Sequence, residues 1–149
     1  MNESRTFAPL VYHRIYADAR AKWGWYGESH FDRMKVDQSP VNAASSAPLL
    51  YLSRDEPASV YLFCSLEPGW TSTWQPAPVR QFLVVLSGSM EVEVSDGEMK
   101  QFQPGDSLLL EDTWGKGHRW KNSGEDVLHL LVVQLPIRDT LPVVSAKKG

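Results

Sequence analysis

Cysteine, positive charge and long apolar runs are all scarce in this chain of 149 residues. Cys64 is the single cysteine, so no intramolecular disulfide can form. Its apolar surroundings, VYLFCSL, favour a buried packing residue over a nucleophile. Lys and Arg number 15 against 18 Asp and Glu, which leaves a net charge of -3 and no general attraction to nucleic acid. The composition therefore points to a small neutral or mildly polar partner.

Targeting signals are missing as well. The first ten residues, MNESRTFAPL, lack the positive start and apolar core of a signal peptide, and no run approaches the roughly 18 apolar residues of a membrane span. We therefore expect a cytoplasmic protein that acts on a small molecule and binds neither nucleic acid nor membrane.

Helix signals are nearly absent, and the apolar residues recur mostly at every second position, which is the period of a β-strand. Turn signals rich in glycine, serine, asparagine and aspartate separate these runs. The clearest local pattern is MEVEVSDG, in which alternating residues precede an Asp-Gly that suits a tight hairpin. The pattern predicts an all-β, antiparallel sandwich or barrel. The predicted strands lie within residues 59–66, 81–86, 90–94 and 127–135.

Length and a hydrophobic content of 42% fit a single domain over residues 1–149. Residues 1–47 are interpreted as an N-terminal arm and crossing loop, 48–136 as the β-barrel, and 137–149 as a polar tail. The arm is too short for its own core, so we expect it to add strands to the main sheet or to a neighbouring subunit of a homodimer.

Two sets of spaced residues resemble the metal-binding motifs of the cupin family. The first set is Gly69, Gln75, Ala77, Gln81 and Gly88, and the second is Gly105, His118 and Asn122. The resemblance implies an antiparallel jelly-roll β-barrel, with the arm strands added to it.

The resemblance also implies a divalent metal held by three histidines and one glutamate, but only His118 keeps the usual residue type. Neutral amides and an alanine are poor substitutes for imidazole and carboxylate ligands. We expect no bound cofactor. The alternative is a divalent transition metal bound through His118 together with His13, His30 or His129.

His118 is the first candidate catalytic residue, because a neutral imidazole can take or give a proton at working pH. Gln75 and Gln81 stand at ligand positions and would donate hydrogen bonds to a substrate oxygen. Structural roles are the alternative: His118 would bond a backbone group, and the two amides would bond each other. Either Glu111 or Asp112, just before His118, could orient the imidazole or simply face solvent.

Six tryptophans are many for this length, and most lie near the two motifs. A barrel rim lined by indole rings would make a flat apolar slot for a ligand, although packing alone could explain each ring equally well. Trp120 is the best candidate, because it shares the face of His118 on a regular strand. The predicted substrate-binding residues are Trp70, Trp74, Trp114, Trp120 and His30. The other two tryptophans, Trp23 and Trp25, lie on the arm.

These features predict an enzyme of the lyase or isomerase type that uses metal-independent acid–base chemistry for an elimination, isomerisation, cyclisation or decarboxylation. Its substrate would be hydrophobic and oxygenated, and aromatic or polyketide-like, as in secondary metabolism. Two alternatives stay open at this point: a metal-dependent enzyme of the cupin dioxygenase type, and a protein that binds a small ligand without transforming it.

Overall fold

The computed structural model describes residues 7–18 and 27–137, and every regular element within them is a β-strand. The all-β prediction is confirmed. Trp23, Trp25 and nearly all of the predicted tail lie outside the described residues. Within the described part of the chain, no helix is long and apolar enough to cross a membrane.

The strands are β1 (Val11–Asp18), β2 (Glu28–Lys35), β3 (Ser39–Val41), β4 (Leu50–Leu52), β5 (Val60–Leu66), β6 (Gln81–Ser87), β7 (Met90–Val94), β8 (Met99–Phe102), β9 (Ser107–Leu110), β10 (His118–Asn122) and β11 (Leu128–Gln134).

Two of the sheets enclose the core. The larger has six strands in the order β2-β1-β9-β6-β11-β5, and the smaller has three in the order β10-β7-β8. The short strands β3 and β4 form a separate hairpin. All strand pairs are antiparallel except β1 and β9, which run parallel. The predicted arm thus contributes β1 and β2 to the sheet of its own chain.

The core lies between these sheets and consists of the side chains at every second position of their strands. In β7, Met90, Val92 and Val94 are buried, while Glu91 and Glu93 face outward. In β6 the inward positions are 81, 83 and 85, so a buried polar residue heads an otherwise apolar face. The apolar residues of β6 and β7 belong to one continuous cluster with apolar side chains from β1, β9 and β11. The polar residues that interrupt this apolar interior mark the candidate site.

Candidate active site

A buried pair of carboxylate and imidazole lies where β10 begins. His118 is 4% exposed and Asp112 is fully buried, and His118 Nδ1 lies 2.7 Å from Asp112 Oδ2. His118 points inward because it is the first of the buried positions in the alternating pattern of β10. A carboxylate at Nδ1 favours the tautomer with hydrogen on that atom, which leaves a lone pair on Nε2. The arrangement therefore suits Nε2 to accept a proton.

Ser29 on β2 is the third member of this buried cluster. It is fully buried, and its Oγ donates to Asp112 Oδ2 at 2.8 Å. Asp112 Oδ1, by contrast, is buried with no hydrogen-bond partner among the described residues. Leaving a buried polar atom unpaired costs about 1–3 kcal/mol. Oδ1 is therefore a position where a donor group on a bound molecule would be favoured.

Sequence reasoning missed Ser29. It is a small polar residue in an arm strand, and its nearest partner in the cluster is 83 positions away along the chain. The alternation of β2 was a weak signal, because Ser29 and Phe31 share the inward face. Only the packing of β2 next to β1 brings this hydroxyl to the carboxylate.

Outside the cluster, a second set of polar contacts ties β2 to the loop before His118. Ser95 Oγ accepts from Ser29 N at 2.7 Å and donates to Glu28 Oε1 at 2.7 Å. Lys116 Nζ donates to Glu28 Oε2 at 2.6 Å. The hydrogen bond from Lys116, followed by that from Ser95, lowers the pKa of the Glu28 carboxyl. These contacts hold the loop against the start of β2.

Glycine allows this loop, residues 111–117, to lie directly on the neighbouring backbone. Gly117 has φ +82°, and a Cβ atom there would overlap the backbone of Gln75. The chains are also joined by hydrogen bonds from His118 N to Gln75 O at 3.0 Å and from Ala77 N to Asp112 O at 2.9 Å. The loop thereby holds Asp112 and His118 in place from both of its ends.

Gln81 points into the barrel at the same end as this cluster. It is 9% exposed, and its amide makes no hydrogen bond to another described residue. It pairs across strands with Leu110, which lies two residues before Asp112. Long side chains reach diagonal neighbours on one sheet face. Gln81 and Asp112 therefore occupy adjoining positions at one end of the interior.

Gln75 differs from the expectation that its side chain points inward, because it is exposed. The prolines at 76 and 78 keep this segment out of a regular strand, which begins only at Gln81. Gln75 meets His118 through backbone atoms alone, in an isolated bridge. Ala77 takes the buried position, at 3% exposure. The structure therefore does not bring the two glutamine side chains together.

Two of the candidate tryptophans form a pair near the site. Trp120 is partly buried and packs on the core, on the inner face of β10 with His118. Its ring centroid lies 4.8 Å from that of Trp70. This pair forms an aromatic surface at the edge of the core.

The remaining substrate-binding candidates lie elsewhere. Trp74 is 42% exposed and lies beneath the guanidinium of Arg119, at 4.9 Å. Trp114 is 45% exposed, and its ring lies against Gly27. His30 Nδ1 lies 2.7 Å from Asp96 Oδ2, on a face of β2 opposite to Ser29.

The two acidic residues before His118 have different roles. Asp112 orients the imidazole, whereas Glu111 lies on the other side of the sheet and binds two arginines. Arg80 Nε and Nη2 both donate to Glu111 Oε2, at 3.0 and 2.9 Å, and Arg14 Nη1 lies 3.3 Å from Oε1.

The residues at the motif positions do not fit a resident divalent metal. Among residues 7–18 and 27–137, no group of three or more His, Cys, Asp or Glu side chains is gathered as a metal ion requires. The other histidines do not approach His118: His129 bonds Ser65 on the outer face, and His13 packs edge-on against Phe102. The donor set at the site is one imidazole, one carboxylate already bonded to it, and an amide.

Comparison with known proteins places these elements in a family. A family model for the cupin domain matches residues 62–134, which include Gln81, Asp112 and His118. Among curated proteins, none matches this sequence significantly.

Solved structures with a similar fold are distant in sequence. The cupin domain of an XRE family transcriptional regulator from Enterobacter cloacae is 28% identical, over 52% of this chain and 81% of that one, with a TM-score of 0.41. An RmlC-like cupin from Methanocaldococcus jannaschii, described as a double-stranded β-helix, is 18% identical over 56% and 74%, with a TM-score of 0.46. A sugar phosphate isomerase from Silicibacter pomeroyi is 22% identical over 51% and 49%, with a TM-score of 0.42.

The family model spans β5 to β11, the strands that form most of the two facing sheets. It also contains the three buried polar residues of those strands, Gln81, His118 and Asn122, each of which stands at a motif position. With the spacing, the family match and the all-β architecture in agreement, this chain belongs to the cupin superfamily.

Proposed function

We propose that this protein is an enzyme that moves a proton on a small, hydrophobic, oxygenated molecule, with His118 as the general base and acid. The observation that carries the proposal is the 2.7 Å contact between two buried side chains, His118 and Asp112. A carboxylate at Nδ1 holds the ring and stabilises the positive charge that it gains when Nε2 takes a proton. Asp112 is therefore a positioning residue for His118.

The chemistry follows from the groups that adjoin the imidazole. Nε2 takes a proton from a carbon next to a carbonyl group, and the electron pair of the broken C–H bond moves onto the carbonyl oxygen. The amide of Gln81, a residue only 9% exposed, has no other hydrogen-bond partner among the described residues and donates to that oxygen. The proton then returns to a different atom in an isomerisation, or a leaving group departs in an elimination.

The surroundings of the pair set the class of substrate. The neighbouring inward residues Ala77 and Leu83 are apolar and buried, and the partly buried Trp120 lies on the face of His118. The unpaired Asp112 Oδ1 favours a substrate that carries a hydroxyl group or another donor. A hydroxylated aromatic or polyketide-like ketone meets these requirements.

The test is exchange of the carbon-bound proton, because it needs no knowledge of the final product. Hydroxylated aromatic ketones and β-keto compounds would be incubated with the protein in heavy water, and loss of the C–H signal followed by NMR. We expect exchange with the wild-type protein and a loss of about 10²–10⁴-fold in His118→Gln, the usual contribution of a general base.

The matched control is His129→Gln, because His129 lies on the outer face and bonds Ser65. It should exchange the substrate at the wild-type rate. Full exchange by His118→Gln would refute the assignment of the base. Saturable binding of these ketones with no exchange by the wild-type protein would favour a non-catalytic ligand-binding role.

A further inference from the structure

One edge of the six-stranded sheet is open to further strand pairing within the described part of the chain. The sheet ends at β5, which pairs among residues 7–18 and 27–137 with β11 alone, so one row of its backbone N–H and C=O groups faces away from that sheet. Natural proteins usually block such edges with charged residues, proline, a bulge or a covering segment. No charged residue occurs from Pro57 to Leu66 in the sequence. The edge is therefore a ready template for another strand.

The side chains of β5 are exposed on both faces of the sheet. Tyr61 and Phe63 are 70% and 68% exposed on one face, and Val60 and Leu62 are 50% and 42% exposed on the other. The outward face continues into an apolar groove of about 480 Å³, whose walls include Leu131 and Val133 on β11. Burial of this apolar surface would be favourable.

The opposite edge of the same sheet shows the usual protection. Its strand, β2, carries Glu28, Asp32, Arg33 and Lys35 among eight residues. Charges of both signs on an edge strand discourage pairing with another chain. The sequence thus places charged residues on the β2 edge and none on the β5 edge. Of these two edges, β5 is the one suited to pairing with another chain.

A second copy of this chain is the partner that this edge fits. In an antiparallel pair of β5 strands related by a two-fold axis, the central residue Phe63 lies opposite Phe63 of the copy, and the residues on either side pair in reverse order. None of the β5 residues is charged, so no like charges meet across the axis. Covering Tyr61 and Phe63 would contribute roughly 200–350 Å² of the roughly 800 Å² per partner that a stable interface needs, and Val60, Leu62 and the residues of the groove would add to it.

We propose that β5 pairs antiparallel with β5 of a second copy, which joins two six-stranded sheets edge to edge and covers Tyr61 and Phe63. This proposal is independent of the reaction proposed for His118. The N-terminal strands take no part in it, since β1 and β2 belong to the sheet of their own chain.

The experiment is sedimentation velocity over a wide range of protein concentration, with the wild-type chain and Phe63→Lys. We expect a dimer for the wild type. In Phe63→Lys, two like charges meet across the axis, so association should weaken by at least about tenfold. The control is Met99→Lys, since Met99 is 53% exposed on β8, an edge strand of the other sheet. It should dimerise as the wild type does.

A monomeric wild-type protein at every concentration would overturn the proposal, and so would an unchanged dimer in a folded Phe63→Lys variant. If circular dichroism shows that Phe63→Lys does not fold, hydrogen exchange of the wild-type protein decides the question. The β5 amides that do not bond β11 should gain protection as the protein concentration rises. Protection that does not depend on concentration would contradict the pairing.

Discussion

The two carboxylate oxygens of Asp112 differ in their hydrogen bonding. Oδ2 accepts from both Ser29 and His118, while the buried Oδ1 has no partner within residues 7–18 and 27–137. The orientation of the imidazole therefore depends on a single oxygen, and that dependence can be tested without a substrate.

Asp112→Asn should mix the two tautomers of His118, because an amide can present its NH₂ group to Nδ1 as well as its oxygen. Nitrogen-15 NMR of the imidazoles should show Nδ1 protonated and Nε2 unprotonated in the neutral wild-type ring. Stability should fall by about 1–3 kcal/mol, the cost of a disrupted buried hydrogen bond. The His129 signals provide the internal reference and should not move. Unchanged His118 signals would show that Asp112 does not set the tautomer.

Ser29→Ala removes one of the two donors to Asp112 Oδ2 and should lower the free energy of unfolding by about 1 kcal/mol. Ser65→Ala is the matched control, because Ser65 is exposed and also bonds a histidine. Its effect should stay within about 0.5 kcal/mol. Urea denaturation measures both variants, and equal effects would mean that burial of the Ser29 hydroxyl adds nothing.

At the scale of elements, the site depends on the loop between β9 and β10. The loop lies so close to residues 75–77 that no side chain fits at Gly117, and hydrogen bonds fasten it at both ends. The alternation of β9 continues past Leu110, so Glu111 faces the arginines of the outer surface and Asp112 faces inward.

Gly117→Ala and Gly69→Ala separate close contact from backbone conformation. Both glycines have positive φ, +82° and +89°, but Gly69 has no atom within 4 Å of the position a Cβ would take. Gly69→Ala should cost about 1 kcal/mol from strain alone. Gly117→Ala should cost about 1–3 kcal/mol more, because the added methyl forces the backbone apart. Urea denaturation gives both values, and equal losses would show that the loop can move away freely.

For the whole molecule, acid is expected to weaken the fold in two separate ranges of pH. Burial, and next the charge of Lys100, lowers the pKa of His13 from its ordinary 6.5. The unfolded chain then binds more protons than the folded one just below that value, so His13 contributes stability that is lost as the pH falls below about 6.5. The lowered pKa of Glu28 acts in the same direction below its ordinary 4.5.

His13→Gln should therefore flatten the decline of stability between about pH 7 and pH 5, because glutamine does not titrate. Thermal or urea unfolding at a series of pH values measures the slope. His129→Gln, a change at an exposed histidine, is the control and should keep the wild-type slope. An unchanged slope in His13→Gln would assign the acid sensitivity to other groups.

Elemental analysis of the purified protein before and after dialysis against a chelator tests the metal-independent mechanism. We expect transition metal well below one ion per chain, with fold and proton exchange unchanged by the chelator, because one imidazole, one amide and a carboxylate already bonded to that imidazole make a poor site. Close to one tightly held ion per chain, with exchange lost on its removal, would contradict the proposed mechanism.

Several features could be predicted from the sequence because they depend on local order. Two-residue alternation identifies β5, β6, β7 and β11, and the Asp-Gly turn gives the hairpin of β7 and β8, in which Gly97 has φ +100°. The motif spacing identifies the cupin fold and places His118 on an inward strand position. Successive side chains of a β-strand point to opposite faces of the sheet, so the face of each residue follows from its position in its own strand.

The composition of the site could be predicted only in part. Gln75 and Gln81 stand at equivalent motif positions, yet one is exposed and the other buried, because the proline-containing segment before β6 is not a regular strand. Asp112 was one of two candidates, and Ser29 was not identified at all. These outcomes depend on which backbone segments lie against each other.

By itself, the sequence determined the all-β architecture, the family and the inward position of His118, since these follow from spacing along one chain. The tertiary structure alone decided that Ser29, Asp112 and His118 form one buried cluster, and that β5 lies at the edge of the six-stranded sheet among the described strands. The contact between Ser29 and Asp112, 83 residues apart, depends on tertiary packing, and so does the order of strands in the sheet. An apolar strand face can be buried equally well against many other apolar faces. No local pattern specifies which partner it meets.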